Sequence, residues 1–417
     1  MTGRSEMFTE STADVGVRRG AGVLPFERWV VRRMLGRAHA PPVQVTFWNG
    51  ETVVGGDRPA MARIVLHDRG SLYRLAVDPE YQFGELYSSG RIDVEGDLVG
   101  FLEALYRAQL CDGTFAARSA GLFRRLPLNS LSRARANARH HYDLGNEFYR
   151  LWLDDNMVYT CAYFPRPDVS LEAAQEAKME HVCRKLRLRR GETVAEAGCG
   201  WGSLALYMAR HYGVNVKAFN VSRQQILMAR ERARAAGIGS QVEFVEDDYR
   251  NITGKFDAFV SVGMLEHVGP RHYRELGAII NRCLTPSGRG LIHSIGRPRP
   301  MPVDSWTTAN IFPGAYVPSL GEMTGIFESN ALVVLDVENL RLHYAATLRH
   351  WLDRFERRRD RVREMFDERF VRMWRMYLSG SIAAFLTGWM QLFQVTFSRV
   401  TNDDVPLTRE HLYRHGE

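Results

Sequence analysis

The residues best placed to do chemistry in this 417-residue sequence form a short glycine-rich segment, EAGCGWG, at positions 196–202. Glycines let a backbone turn tightly and approach a ligand closely, and the helix that follows favours a negative group at its N-terminus. A glycine turn by itself also serves purely structural ends. The spacing ExGxGxG differs from the GxGxxG of dinucleotide enzymes, and the acid before the glycines can pair with an ammonium group. The candidate cofactor residues here are Glu196, Gly198, Cys199, Gly200 and Gly202.

Two further pairs of polar residues stand where later strands end. Asp248 and Tyr249, in the segment EDDY, suit an adenine site in which Asp248 supplies a hydrogen bond and Tyr249 an aromatic face. The alternative is that the acids are exposed residues of a turn. Asn220 and Gln225 offer a neutral contact to ribose hydroxyls, where many methyltransferases place an acid. The spacing therefore favours a methyltransferase that uses S-adenosylmethionine, with its substrate left open.

These residues require a parallel sheet that brings strand ends together. Apolar strands and helical segments alternate from residue 193 onward, which predicts an α/β fold with a doubly wound, mostly parallel sheet. The predicted strands read TVAEA, VNVKAF, VEFVE, DAFVSV and GLIHSI. After about residue 296 the pattern gives way to proline-rich loops and an arginine-rich helical stretch at 346–375. The segment 391–399 is predicted to be a late strand that closes the sheet edge.

The chain is long enough for two domains. Short apolar runs at 43, 62 and 71, followed by a helix-like stretch near 97–110, predict a small α+β unit with an antiparallel sheet. We divide the chain into a polar tail (1–22), this small domain (23–122), a basic linker (123–139) and a cofactor domain (140–417). Residues 376–398 carry no charge and match the length of a membrane span, but their polar residues favour a buried helix followed by a core strand.

Composition limits the partners without identifying them. The formal charge is +7 and arginine supplies most of the positive excess, which points to an anionic partner, either nucleic acid or a lipid surface. Five unpaired cysteines give neither a disulfide framework nor a zinc site, so we expect reducing cytosol and no metal.

Seven segments in order resemble the cyclopropane fatty acid synthase family, and the similarity runs from about residue 133 to the end. They read HHYDLGNEFYRLWLD (140–154), YTCAYF (159–164), EAGCGWG (196–202), SVGMLEHVG (261–269), LIHSIG (291–296), IFPGAYVPS (311–319) and QLFQVTFSR (391–399). The small N-terminal unit also fits the lipid-binding domain of that family. The resemblance implies a Rossmann-like class I methyltransferase with helical lid insertions, a homodimer, located in the cytoplasm and peripheral at the inner membrane face.

The implied reaction is methylene transfer from S-adenosylmethionine to the cis double bond of an acyl chain in a membrane phospholipid. S-adenosylhomocysteine is the second product, and a bound bicarbonate removes the proton from a carbocation. The matching catalytic positions are Cys161, Glu266, His293, Tyr344 and the Ile295 backbone, while Tyr142 matches a position that covers the cofactor. Taken singly, Cys161, His293 and Tyr344 also suit a buried core. Tyr316 and Phe164 are further candidates for steadying the cation with their rings.

The sequence departs from the family at 386–389, where Leu386, Thr387, Gly388 and Trp389 replace charged residues. The product is therefore open between a cyclopropane ring, which we place first, and a methylene-branched chain. A lipid-binding or transfer protein with a relic methyltransferase domain would lack site residues, which this chain retains. A nucleic-acid methyltransferase would carry an N/D-P-P-Y/F loop where this chain reads GMLEHVG, so we expect no nucleic-acid partner.

An anionic membrane surface is the predicted partner of the arginine-rich stretch. The alternative is a solvated helix face neutralised by its own acids. The arginines concerned are Arg349, Arg354, Arg357, Arg358, Arg359, Arg361 and Arg363, and the acids are Asp353, Glu356, Asp360 and Glu364.

Overall fold

The computed structural model describes residues 22–36, 41–55, 59–111 and 144–413. The expected polar tail up to residue 21, the basic linker at 123–139 and Tyr142 lie outside the described residues. Two sheets organise the described part of the chain, one of four strands and one of seven.

The smaller sheet has the strand order β2-β1-β3-β4. Its elements are α1 (Pro25–Leu35), β1 (Val43–Thr46), β2 (Thr52–Val54), β3 (Ala62–Leu66), α2 (Arg69–Val77), α3 (Pro79–Ser88), β4 (Ile92–Gly96) and α4 (Leu98–Cys111). Two expectations were wrong here. The sheet is mixed because β1 pairs with β3 in parallel. The apolar run at 71 is helical, since Leu72 and Leu75 share one buried helix face at a spacing of three and Asp68 caps the helix at Ser71.

The larger sheet has the order β10-β11-β9-β8-β5-β6-β7. Its strands are β5 (Thr193–Ala197), β6 (Asn215–Asn220), β7 (Val242–Glu246), β8 (Phe256–Val262), β9 (Leu284–Gly296), β10 (Leu332–Asn339) and β11 (Gln391–Arg399). The first five in this list pair in parallel, which confirms the doubly wound sheet. The expected edge position of β11 was wrong, because β11 lies antiparallel between β9 and β10 and the unforeseen β10 forms the edge.

Helices cover both faces of this sheet. They are α5 (Asn146–Arg150), α6 (Leu171–Leu186), α7 (Ser203–Tyr207), α8 (Arg223–Ala235), α9 (Tyr273–Cys283), α10 (Ser305–Asn310), α11 (Leu320–Phe327), α12 (Arg341–Arg357), α13 (Arg359–Met365), α14 (Glu368–Thr387) and α15 (Glu410–Tyr413). A π-helical turn, Met208–Tyr212, continues α7, and 3-10 turns lie at Tyr249–Asn251, Leu265–His267, Pro270–His272 and Glu328–Asn330.

Helix α14 connects the two units. It packs against α12 on the catalytic side and against α3 and α4 of the smaller unit. The uncharged segment 376–398 is the second half of α14 followed by β11, as the sequence predicted. Among the described residues, none of the helices combines the length and apolar character needed to cross a bilayer.

Candidate active site

The glycine loop leaves β5 after Ala197 and enters α7 at Ser203. Gly198 and Gly202 both have φ of +83°, and a Cβ there would lie 2.9 Å from Met264 and 2.6 Å from the Phe244 ring. Side chains are therefore excluded at both positions by backbone conformation and by space. At Gly200 the φ is +53° and nothing lies within 4 Å of a Cβ, so the middle of the loop is open.

Glu196 carries an unsatisfied carboxylate beside this loop. It is 2% exposed, and its Oε2 has no hydrogen-bond partner among the described residues. Burial raises the pKa of Glu196 to about 8, while the nearby Lys178 ammonium and the Ala205 N–H act in the opposite direction. A buried carboxylate oxygen without a partner is costly, and the ammonium group of a bound cofactor would satisfy it.

The two polar pairs lie at the carboxyl ends of β6 and β7, as expected. The Asn220 side-chain amide donates to Gln225 Oε1 at 2.8 Å and to the Gly200 carbonyl at 3.2 Å, so this pair also supports the glycine loop. Asp248 is buried, and one oxygen accepts the Arg250 N–H at 3.0 Å as a cap of the following turn. Tyr249 is buried in the core below the sheet end, and burial raises its pKa to about 12.

Glu266 follows β8 in a 3-10 turn and is 8% exposed. Its Oε1 accepts the Ile295 N–H at 2.6 Å, and its Oε2 is buried without a partner among the described residues. Burial raises the pKa of Glu266 to about 7, although the Ile295 and Ser294 hydrogen bonds favour the ionised form. The Tyr316 N–H donates to the Glu266 carbonyl at 2.8 Å and holds the turn in place.

His293 lies two residues before Ile295 on β9, directly opposite Gln394 of β11. The Gln394 side-chain nitrogen lies 3.0 Å from His293 Nδ1. With the amide nitrogen as the donor, Nδ1 is the acceptor and the imidazole proton is on Nε2. Burial, together with the Lys178 and Lys185 charges, holds the pKa of His293 well below its usual range. The ring is therefore neutral and offers one N–H to a ligand.

Cys161, Tyr344 and Ile295 belong to one packed cluster. The Cys161 thiol donates to the Ala162 carbonyl at 3.1 Å, and burial raises its pKa, so it stays protonated. The Tyr344 ring packs against Phe385 with centroids 4.6 Å apart. The Glu266–Ile295 hydrogen bond and the shared strand place Glu266, His293 and Ile295 together near the end of β9, and Cys161 and Tyr344 share a hydrophobic cluster with Ile295.

Lys178 is a charged residue at this site that the sequence reasoning missed. It lies on α6, is 2% exposed, and donates to Thr160 Oγ1 at 2.9 Å. Burial lowers the pKa of Lys178 to about 8, and the nearby carboxyl groups of Asp154 and Glu196 act against that shift. The Lys178 ammonium therefore contacts the segment that contains Cys161 and acts electrostatically on Glu196. The signal was present in the sequence, because Lys178 falls on the apolar stripe of α6 at helical spacing from Leu171.

An aromatic cluster, made of Tyr149, Trp152, Tyr159 and Trp351, packs in the same hydrophobic cluster as Cys161. Their ring centroids lie 5.2–5.6 Å apart. The two aromatics singled out from the sequence lie outside this aromatic cluster. Tyr316 contacts Glu266 through its backbone N–H, and Phe164 packs against the hydrophobic cluster that contains Cys161. The Tyr316 hydroxyl donates to Glu322 Oε1 at 2.6 Å, and the Phe164 ring stacks on His350 with centroids 5.5 Å apart.

The divergent segment 386–389 ends α14. Gly388 adopts φ of +79° as the helix cap, and Arg341 donates to the Phe385 and Leu386 carbonyls at 2.8 and 3.0 Å. Leu386 packs on the cluster that holds Tyr344, whereas Trp389 packs on Tyr106 of the smaller unit at 5.4 Å. The segment thus places an apolar side chain beside the site and links the two units.

Comparison with known proteins gives an independent finding. A family model described as mycolic acid cyclopropane synthetase matches residues 129–395, and one described as a domain of unknown function matches residues 30–112. A probable fatty acid methyltransferase of Pseudomonas putida is 34% identical over 89% of this chain and 96% of its own length. A cyclopropane-fatty-acyl-phospholipid synthase of Escherichia coli is 39% identical over 68% of this chain and 72% of its own.

The solved structures include a mycolic acid cyclopropane synthase in complex with SAH and CTAB. It superposes with a TM-score of 0.61 at 28% identity, over 64% of this chain and 98% of its own length. This likeness confirms the class I methyltransferase fold for the catalytic part.

Proposed function

The chain belongs to the mycolic acid cyclopropane synthetase family of S-adenosylmethionine-dependent enzymes, and we propose that it methylates the cis double bond of acyl chains in membrane phospholipids to give a cyclopropane ring. The observation that carries this proposal is the Glu266 carboxylate. One of its oxygens is held by the Ile295 N–H, and the other is buried without a partner among the described residues, in the turn that faces the His293 strand.

The cofactor half of the site fits S-adenosylmethionine, which supplies an electrophilic methyl group when it is bound. Glu196 offers its unsatisfied Oε2 to the ammonium group, and the open backbone at Gly200 admits the ligand. We assign Asn220 and Gln225 to the ribose hydroxyls and Asp248 with Tyr249 to the adenine. Cys199 belongs to the loop itself, and Tyr142 remains assigned as a cover for the cofactor. S-adenosylhomocysteine would be released.

The second half fits a small oxyanion, for which the candidate is bicarbonate, a base for the proton that the new methyl group loses as the ring closes. His293 Nε2–H and the Tyr344 hydroxyl are donors, and Glu266 is an acceptor for the hydroxyl of such an ion. The Cys161 thiol donates to the Ala162 carbonyl in this structure, so it would have to turn from that carbonyl to serve as a third donor. The Ile295 N–H already serves Glu266, so we assign Ile295 to the orientation of that carboxylate.

An alkene is a weak nucleophile, so the reacting atoms must be held in line and away from water. Methyl transfer to one alkene carbon leaves a positive charge on the other. In the aromatic cluster Tyr149, Trp152 and Trp351 are fully buried and Tyr159 keeps some exposed surface, so we assign the stabilisation of that charge to the Tyr159 ring. Loss of a methyl proton and closure of the third carbon–carbon bond then complete the ring, and the charge balances.

A methylene-branched fatty acid is the second candidate product. It arises from the same methyl transfer, and it is supported by the apolar Leu386 in the cluster that holds Tyr344 and by the Pseudomonas relative, whose name is probable fatty acid methyltransferase. A relic domain that only binds or transfers lipid is a weaker alternative, because the glycine loop and Glu266 are intact. We further propose a homodimer that is cytoplasmic and peripheral at the inner membrane face.

The test is incubation with S-adenosylmethionine carrying a deuterated methyl group and vesicles of unsaturated phospholipid. We expect the released fatty acids to gain a label from which one deuteron has been lost. The two candidate products are isomers of equal mass, so deuterium NMR must distinguish a labelled ring methylene from a labelled terminal alkene methylene. Unlabelled lipid would refute the proposal, and an alkene signal would select the second product.

A further inference from the structure

The arginine-rich stretch does not present a free cationic surface. Five of its seven arginines form ion pairs with neighbouring carboxylates. Arg354 lies 2.6 Å from Glu172, and Arg361 lies 2.6 Å from Glu147, so several of these pairs tie α12 and α13 to other elements. A membrane-facing surface must therefore be sought elsewhere.

The outer face of α1 in the smaller unit differs in this respect. Phe26 is 60% exposed and Trp29 is 54% exposed, and their rings stack with centroids 5.8 Å apart. Leu24, immediately before the helix, is half-exposed as well. The Arg33 guanidinium lies 5.5 Å from the centre of the Trp29 ring. Large aromatics fixed in solvent on one helix face are unusual for a soluble protein surface and mark a contact site.

The charges of α1 are arranged around this apolar face. Arg32 and Arg33 are exposed in the last turn. The one carboxylate of the helix, Glu27, points inward, where it accepts hydrogen bonds from the Leu24 N–H at 2.7 Å and the Tyr73 hydroxyl at 2.8 Å and pairs with Arg69. The exposed face of α1 thus combines aromatic rings with positive charge and no carboxylate.

The inner face anchors the helix to the rest of the unit. Val23 and Val31 lie in the core that includes Leu72 and Phe101, and Arg28 pairs with Glu51 on the loop before β2. These contacts hold α1 on the smaller unit, so its outer face can bind a partner while the helix stays in place. The same core includes Trp306 of α10 and Met376 of α14, so the smaller unit that bears α1 packs directly against these two helices of the catalytic part.

We propose that α1 is the docking surface of this protein on an anionic bilayer. Phe26 and Trp29 lie at the boundary between headgroups and acyl chains, and Arg32 and Arg33 contact lipid phosphates. Aromatic rings on one face with arginines beside them are what an interfacial helix presents to a membrane, and the absence of an exposed acid on α1 matches a negative surface. The inference rests on the proposed function in that the substrate is drawn from the same bilayer.

The experiment measures flotation of the full chain with vesicles of phosphatidylglycerol and phosphatidylcholine. We expect Phe26→Ser/Trp29→Ser and Arg32→Glu/Arg33→Glu each to lower the bound fraction at least tenfold. The matched control is Arg361→Glu/Arg363→Glu, the same charge change on the ion-paired stretch, for which we expect less than a twofold change. Circular dichroism and melting curves verify that each variant is folded.

Equal losses in the α1 and control variants, or no loss in the α1 variants, would overturn the proposal. A lower molecular mass by light scattering for the α1 variants, with vesicle binding intact, would show instead that this face joins two copies of the chain. Turnover on detergent-dispersed phospholipid separates the two claims. Docking variants should keep that turnover, whereas a wild-type protein that floats but never labels lipid would refute the proposed function alone.

Discussion

The two halves of the site are built from different material. The cofactor half is mainly backbone, and at Gly198 and Gly202 a left-handed conformation and close neighbours leave no room for a methyl group. The other half consists of buried ionisable side chains, Glu266 and His293, whose pKa values burial displaces in opposite directions. We therefore expect the first half to lose cofactor affinity when a single carbon is added, and the second half to lose turnover when a single charge is removed.

Glu266→Gln should give the largest effect. The change keeps the shape of the side chain and removes the charge that its Oε2 offers to the pocket. Glu266 is assigned to hold the base in place, and losing one hydrogen-bonding group of this kind costs roughly 10²–10³-fold in rate, so we expect turnover to fall by about 10³-fold. Single-turnover kinetics with labelled cofactor measures this loss, and turnover within tenfold of the wild type would remove Glu266 from the reaction.

Gly202→Ala should weaken the cofactor half. A Cβ there would lie 2.6 Å from Phe244, and overpacking together with a left-handed alanine costs about 3 kcal/mol. The loop relieves this strain by moving out of its binding geometry, and restoring that geometry on binding would lower the affinity by up to roughly 100-fold. Gly191→Ala is the matched control, since Gly191 has φ of +84° with nothing within 4 Å of a Cβ. Calorimetric titration with S-adenosylmethionine should show weaker binding for Gly202→Ala alone, and equal affinities would contradict the steric account.

Lys178→Met removes the buried cation that acts on Glu196 while keeping the volume of the side chain. We expect about a tenfold loss of turnover, because Asp154 and Glu196 are left without their buried counter-charge. The pKa of Glu196 should rise further. The ionised carboxylate that binds the cofactor ammonium would then be lost at a higher pH, so cofactor affinity should begin to fall at a higher pH than in the wild type as the pH is lowered.

Lys185→Met on the same helix is the matched control for this change. Lys185 pairs with Glu338 at 2.6 Å, away from the glycine loop. The Lys185→Met variant should leave the pH dependence of cofactor affinity unchanged. If both variants shifted that dependence equally, Lys178 would have no special link to Glu196.

Glu266 should also cost stability at high pH. Burial raises its pKa in the folded protein from 4.5 to about 7. The folded state then binds more protons than the unfolded state between those values, so stability falls as the pH rises through that window. Glu266→Gln should melt about 3 °C above the wild type at pH 8, with the difference vanishing near pH 5. A lower melting temperature at pH 8 would contradict the burial of this carboxylate.

The sequence predicts some elements and site residues of this molecule and misses others. Strand periodicity and the glycine spacing predicted β5 to β9, and with them the positions of Glu196 near the end of β5 and Glu266 in the turn after β8. The roles of both residues stay predictions. The parallel β1–β3 pairing and the edge strand β10 were missed, since pairing between strands distant in sequence is decided by tertiary contacts. Lys178 and Gln394 were missed for a related reason, because their importance comes from the neighbours that folding brings to them.

The most direct test of the two-part site is the dissociation constant of S-adenosylmethionine for the Glu266→Gln protein that has lost turnover. Calorimetric titration should give a value within about twofold of the wild type, since Glu266 contacts the Ile295 N–H and not the glycine loop. A loss of affinity as large as the loss of turnover would contradict the account, because Glu266 would then belong to the cofactor half.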